Sequence, residues 1–125
     1  LRMIRGIVFT HANLGQAFCE SVGTILGVQE DMVCLSNNDL SNEQMMDALV
    51  SATGPEGDGA VVFTALFGGS CWQTAERLQR ERNDVRHITG TNLPMLLAFI
   101  NKREETGLDD LVEMVTGYGH RGIKP

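Results

Sequence analysis

Positive charge is in short supply in this chain: ten lysines and arginines stand against sixteen aspartates and glutamates, a formal charge of -6. Such a balance lacks the electrostatic footprint that a nucleic acid or an anionic membrane surface demands, so no nucleic-acid partner is expected. Long apolar runs are missing as well. The stretch from Ala60 to Phe67 is among the longest, far short of the roughly 20 residues of a membrane-spanning helix, so direct membrane insertion is not expected. The N-terminus carries no signal-peptide pattern, Met3 reads as the natural start, and the chain reads as soluble and cytoplasmic. Cysteine is sparse and odd in number: Cys19, Cys34 and Cys71 form no CxxC motif, which suits a reducing compartment and predicts neither a disulfide framework nor a zinc site. With 42% apolar and 21% charged residues, disorder is excluded, and 125 residues predict one domain spanning 1–125.

What is present is an alternation of short apolar runs with segments of helical spacing, the pattern of an α/β domain. Met3 to Phe9 reads as a strand, followed by Leu14, Ala17, Phe18, Ser21, Val22, Ile25 and Leu26 at helical spacing. Asn13 and Gln16 suggest a capping box there, and Gly27 a stop. Further units follow in the same rhythm. Met32 to Leu35 is a strand, Ser41 with Gln44 boxes a helix, and 54–59 is a turn-rich break. Gly59 to Phe67 reads as a buried central strand, and Gly68-Gly69-Ser70 opens a helix to about Arg82, with Ser70 and Gln73 as another box. Val85 to Thr89 is a fourth strand; helices carrying Leu93 to Ile100 and Leu108 to Tyr118 complete the pattern, and Gly122 with Ile123 could add an edge strand. The fold expected is doubly wound, with a mostly parallel four-stranded sheet and helices on both faces.

In such a sheet the ligand crevice lies beyond the C-terminal strand ends. The loops Thr10-His11-Ala12-Asn13, Ala65 to Ser70 and Gly90 to Pro94 should therefore meet at one rim. His11 would stand between two helix starts whose amides favour an anion, which suits transient phosphorylation of a ring nitrogen. The glycines at 68 and 69 allow close approach, and Ser70 adds a hydroxyl. A plainer reading of the same residues has His11 packing at a strand end and Gly68-Gly69-Ser70 as an ordinary turn with a good cap. His87 reads as a packed or surface strand residue, His120 lies near the C-terminus, and the three histidines have no ligand spacing, so no metal is expected. Cys71 reads as buried and inert, and the run from Arg77 to Arg86 as a solvated helix face.

Three segments in order carry a resemblance: Gly6-Ile7-Val8-Phe9-Thr10-His11, then Gly68-Gly69-Ser70 after a buried strand, then Gly90-Thr91-Asn92-Leu93-Pro94-Met95-Leu96. Together they resemble the EIIA domain of the mannose-type phosphoenolpyruvate-dependent sugar phosphotransferase system (PTS; mannose, fructose and sorbose). The resemblance implies a phosphotransferase without a cofactor, in which His11 accepts a phosphoryl group from the phosphocarrier HPr and passes it to an EIIB component. It implies Gly68, Gly69 and Ser70 as phosphoryl-binding residues, and a homodimer whose C-terminal strand, about Arg121 to Lys124, pairs with the partner's sheet. The family places an aspartate beside the active histidine where this chain has Ala65, and usually a proline where it has Cys71. Thr10, Asn13 and Thr64 are the candidates to orient or support His11 instead. Ala65 also keeps open a non-catalytic regulatory module of the same fold, and the spacing alone leaves a small-ligand phosphate site open.

Overall fold

The computed structural model describes residues 3–125, so the reading of the first two residues lies outside it. Four strands and five helices alternate: β1 Arg5–Thr10, α1 Leu14–Leu26, β2 Met32–Ser36, α2 Asn42–Thr53, β3 Ala60–Phe63, α3 Ser70–Glu81, β4 Val85–Ile88, α4 Leu93–Lys102 and α5 Leu108–Arg121. All pairings are parallel, in the order β2-β1-β3-β4. The expected doubly wound architecture is therefore the observed one. β1 lies between two strands and under helices on both faces, which is why Gly6 to Thr10 are all buried and the segment reads as an unbroken apolar run. On one face Val8, Val61, Phe63 and Ile88 pack with Val22, Leu96, Phe99, Leu111 and Val115 from α1, α4 and α5. On the other, Ile7, Phe9, Val62 and Val85 pack with Met45, Leu49, Ala75 and Leu78 from α2 and α3.

Several local expectations change. β3 ends at Phe63 rather than Phe67, because the chain turns away at Ala65 and passes through Gly68 at φ +83°. The box at Ser41 and Gln44 forms in both directions. Asn13, at φ -105° and ψ 19°, lacks the extended backbone that aims a capping side chain, and makes no cap hydrogen bond. At α3 the cap position falls on Gly69, and Gln73 Nε2 donates to the Gly68 carbonyl, so Ser70 is the first helical residue and not a cap. The C-terminal tail forms no strand within this chain: Arg121 closes α5 and residues 122–125 run on without a sheet partner.

The charged run at Arg77 to Arg86 is only partly a solvated face. Arg82 and Asp84 lie beyond α3 with side chains 12% and 15% exposed, paired at 2.7 Å. Arg82 also donates to the Thr53 hydroxyl and the Gly54 and Pro55 carbonyls, while Asp84 accepts from the amides of Gly57 and Gly59. The pair holds the 54–59 break against the base of the sheet. The Arg82 guanidinium draws the Asp84 carboxyl down to about 2.

The cysteines depart most from expectation: Cys19 of α1 and Cys34 of β2 are joined by a disulfide, while Cys71 is free and buried. No spacing rule announces this bond, since a helix packing over the edge strand brings the two residues together. α1 buries only Gly15 and Val22, so the bond is a substantial part of what holds the helix to the sheet.

Two outcomes follow from these clamps. Reduction by a dithiol, verified by alkylation and intact mass, should lower the unfolding free energy by about 3 kcal/mol, the value for a crosslink closing a 15-residue separation; an unchanged urea midpoint would contradict this. Because the folded state binds the Asp84 proton more weakly than the unfolded chain does, its contribution is complete above the ordinary value of 3.8 and is lost as pH falls toward about 2. Asp84→Asn should therefore cost about 2 kcal/mol at neutral pH, with the two urea curves converging below pH 4.

Candidate functional site

The strand order reverses between β1 and β3, whose C-terminal ends open a crevice. Thr10 ends β1 with its side chain buried, and its Oγ1 accepts a 2.6 Å hydrogen bond from the Gly15 amide. A side chain at Gly15 would meet Thr10 Oγ1 at 2.9 Å and the Val8 carbonyl at 3.2 Å, so only glycine lets α1 start this close to the strand. Thr10 supports the base of His11 from below. It does not orient the ring.

His11 is exposed, and its ring lies against the start of α3: a Cβ built on Gly69 would stand 3.1 Å from Cε1 and 3.6 Å from Nε2. The structure thus brings His11, Gly69 and Ser70 together. The Gly69 N–H donates to the Leu66 carbonyl at 3.2 Å. Helix geometry leaves the amides of Ser70 and Cys71 without intrahelical acceptors. Gly68 shapes the turn and accepts from Gln73 through its carbonyl. Asn13 is exposed and reaches no side chain of the site.

A residue that the spacing did not single out completes the rim. Asn37, in the loop after β2, donates its backbone N–H to the Thr10 carbonyl at 3.1 Å and its side-chain amide to Ser70 Oγ at 3.2 Å. It ties the end of β1 to the start of α3, and its place in a polar loop was the only available signal. The loop after β4 joins indirectly, since Thr91 donates to the Thr64 carbonyl from both its amide and its hydroxyl.

Ala65 is half-buried at the turn, and among the described residues no side chain hydrogen-bonds the His11 ring. Thr64 does not turn to it either. Its hydroxyl lies 2.7 Å from His87 Nε2 and 3.0 Å from Thr89 Oγ1. His87, expected as an ordinary strand residue, has a side chain only 1% exposed, with Nδ1 2.7 Å from Glu76 Oε2. Burial pushes the His87 ring below its ordinary value, partly opposed by Glu76. Cys71 is inert as expected, its thiol pushed up to about 11 by burial. His120 is exposed on α5, and no helix among the described residues is long and apolar enough to cross a membrane.

Comparisons with known proteins point the same way. The family model described as PTS system fructose IIA component matches residues 6–116. The PTS system fructose-specific EIIA component of Bacillus subtilis is 27% identical over 115 residues, covering 88% of this chain and 77% of that protein. Among solved structures, the EIIA component of Streptococcus agalactiae superposes with a TM-score of 0.93 at 28% identity, covering 98% of this chain and 97% of its own. The mannose/sorbose specific IIA subunit of Enterococcus faecalis shares the fold, with a TM-score of 0.82 at 18% identity and coverage of 98% and 94%. The family match over residues 6–116 and the shared α/β fold agree, and the chain belongs to the EIIA family of the sugar phosphotransferase system.

Proposed function

We propose that this PTS component is a histidine phosphoryl carrier, in which His11 accepts a phosphoryl group from phosphorylated HPr and passes it to an EIIB component. The observation that carries the reading is the exposed His11 ring with its Nε2 edge on the first turn of α3. In the accepting step the Nε2 lone pair forms a bond to phosphorus as the nitrogen–phosphorus bond to the donor breaks, and Nδ1 keeps its proton. Charge spreads over three phosphoryl oxygens in the transition state. The amides of Ser70 and Cys71, the Ser70 hydroxyl and the N-terminal end of α3 are disposed to stabilise it. Asn37, by donating to Ser70 Oγ, leaves that hydroxyl's proton available for an oxygen of the phosphoryl group.

The homodimer belongs to the same proposal. Residues 122–125 lie outside the helices, and Ile123 is 72% exposed, as a segment that pairs with a second copy would be. Ala65 favours a second reading, a regulatory module that binds PTS proteins without relaying phosphate. A carboxylate there would hold the imidazole tautomer with Nε2 unprotonated and stabilise the charged phosphorylated ring, and a methyl group does neither.

Mixing the chain with enzyme I, HPr and phosphoenolpyruvate should add one acid-labile phosphoryl group by intact mass, absent from His11→Ala. No addition while HPr is fully phosphorylated would favour the regulatory module. Ala65→Asp should raise the uptake rate about tenfold, equivalent to roughly 1.4 kcal/mol of transition-state stabilisation; an unchanged rate in a rapid-quench assay would show that the ring is already oriented by another group.

A further inference from the structure

The turn from Ala65 to Gly69 carries the contact with His11, yet no side chain in it is anchored by a polar bond. Ala65 has no polar atom to offer, Leu66 and Phe67 are 61% and 74% exposed, and residues 68 and 69 are glycines. Its position is set from α3 after it, where Gln73 Nε2 donates to the Gly68 carbonyl and the Trp72 ring packs 4.8 Å from that of Phe67, and at its other end by Thr64. Those ends are joined through β4. Thr64 bonds His87 Nε2, and His87 Nδ1 bonds Glu76, which stands on α3 itself. Thr64 is also fixed through its backbone, its amide donating to the Ile88 carbonyl at 2.9 Å and its carbonyl accepting twice from Thr91.

We propose that Glu76, His87 and Thr64 form a buried hydrogen-bond chain that sets the 65–69 turn against His11, making His87 a positioning residue for phosphoryl acceptance. The assignment rests on the carrier reading of His11. Both ring nitrogens of His87 are engaged and the ring packs 6.2 Å from that of Trp72, so it cannot rotate without leaving a buried group unpaired. A histidine serving only to fill space would be outdone by an apolar side chain, which needs no partners.

The chain also has a polarity. With His87 neutral, Nδ1–H donates to the Glu76 carboxylate and Nε2 accepts the Thr64 hydroxyl proton, drawing it away from Thr89 Oγ1, the acceptor 3.0 Å on its other side. Protonation reverses this: Nε2–H donates to Thr64 Oγ1, whose proton turns to Thr89 Oγ1. Glu76 is the charged group acting on His87, and Gln79 Oε1 accepts from the His87 backbone amide at 2.8 Å. Burial holds the ring below its ordinary value, which favours the neutral arrangement, and the reversal comes as pH falls.

The test follows the Gly69 and Ser70 amides by NMR from pH 8 to 5 in the full chain, with His11→Gln in the background so that the rim histidine adds no signal of its own. Both amides should show an inflection at the midpoint of His87. Glu76→Gln, which removes the charge and keeps an acceptor, should move that midpoint to lower pH. Thr64→Val, nearly isosteric, should take the inflection out of the two amides while His87 still titrates; with His11 restored, it should cut phosphoryl uptake about tenfold and change the acid limb of its pH profile. Arg80→Ala, on the exposed face of α3, should move none of these. Amides indifferent to His87, or a Thr64→Val protein with the wild-type rate and pH profile, would overturn the proposal. If the wild type takes up no phosphoryl group while the amides still follow His87, the carrier reading falls and the positioning of the turn stands.

Discussion

The pairing of β1 with β3, which sets Val8 beside Phe63, is the constraint on which the rest of the molecule depends. It forces the chain, after crossing outward to β2, to return to the opposite side of β1, and so leaves the C-terminal ends of the two central strands side by side. One of those ends carries His11 and the other leads into the turn that delivers Gly69 and α3. A slip of this pair by one residue would put Val8 and Phe63 on opposite faces of the sheet, taking one of them out of the core that they share with Phe99, and would shift the histidine relative to the helix start in the same step. Stability and site geometry are thus enforced by the same contact, including the 5.2 Å edge-to-face packing of Phe63 on Phe99.

Above that frame the site is built with an economy of polar groups. Thr10 and Asn37 brace the backbone around His11, and among the described residues no side chain hydrogen-bonds the ring itself. Ala65 sets a methyl group at the turn, one residue along from Thr64, whose hydroxyl meets the buried ring of His87. In the proposed arrangement the order lies beneath the ring, in the helix start that faces it, which suits a reaction whose catalysis rests on positioning and on preorganised dipoles.

The alternation of strands and helices was legible because burial on both faces leaves short unbroken apolar runs such as Ala60 to Phe63, and because Ser41 is a capping residue with Gln44 three residues on. The rim at His11, Gly69 and Ser70 was legible because strand ends and glycine turns are local signals. What escaped depends on contacts between distant segments. Cys19 and Cys34 meet only once α1 lies over the edge strand, and Arg82 with Asp84 leaves the charged helix pattern because the 54–59 break folds back onto it. His87 looked like any strand histidine, since Glu76 and Thr64, its two partners, come from other elements. Asn13 misled for the converse reason: the right residue type at a helix start whose backbone does not present it.

In the proposed carrier, the Nε2 edge of His11, facing the first turn of α3, is where phosphate is carried. Nitrogen–phosphorus coupling in the phosphorylated, nitrogen-15 labelled protein tests this at the level of a single atom. The account predicts one coupled nitrogen, Nε2 of His11, with Nδ1 still protonated. Coupling at Nδ1, or at a nitrogen of any other residue, would contradict it.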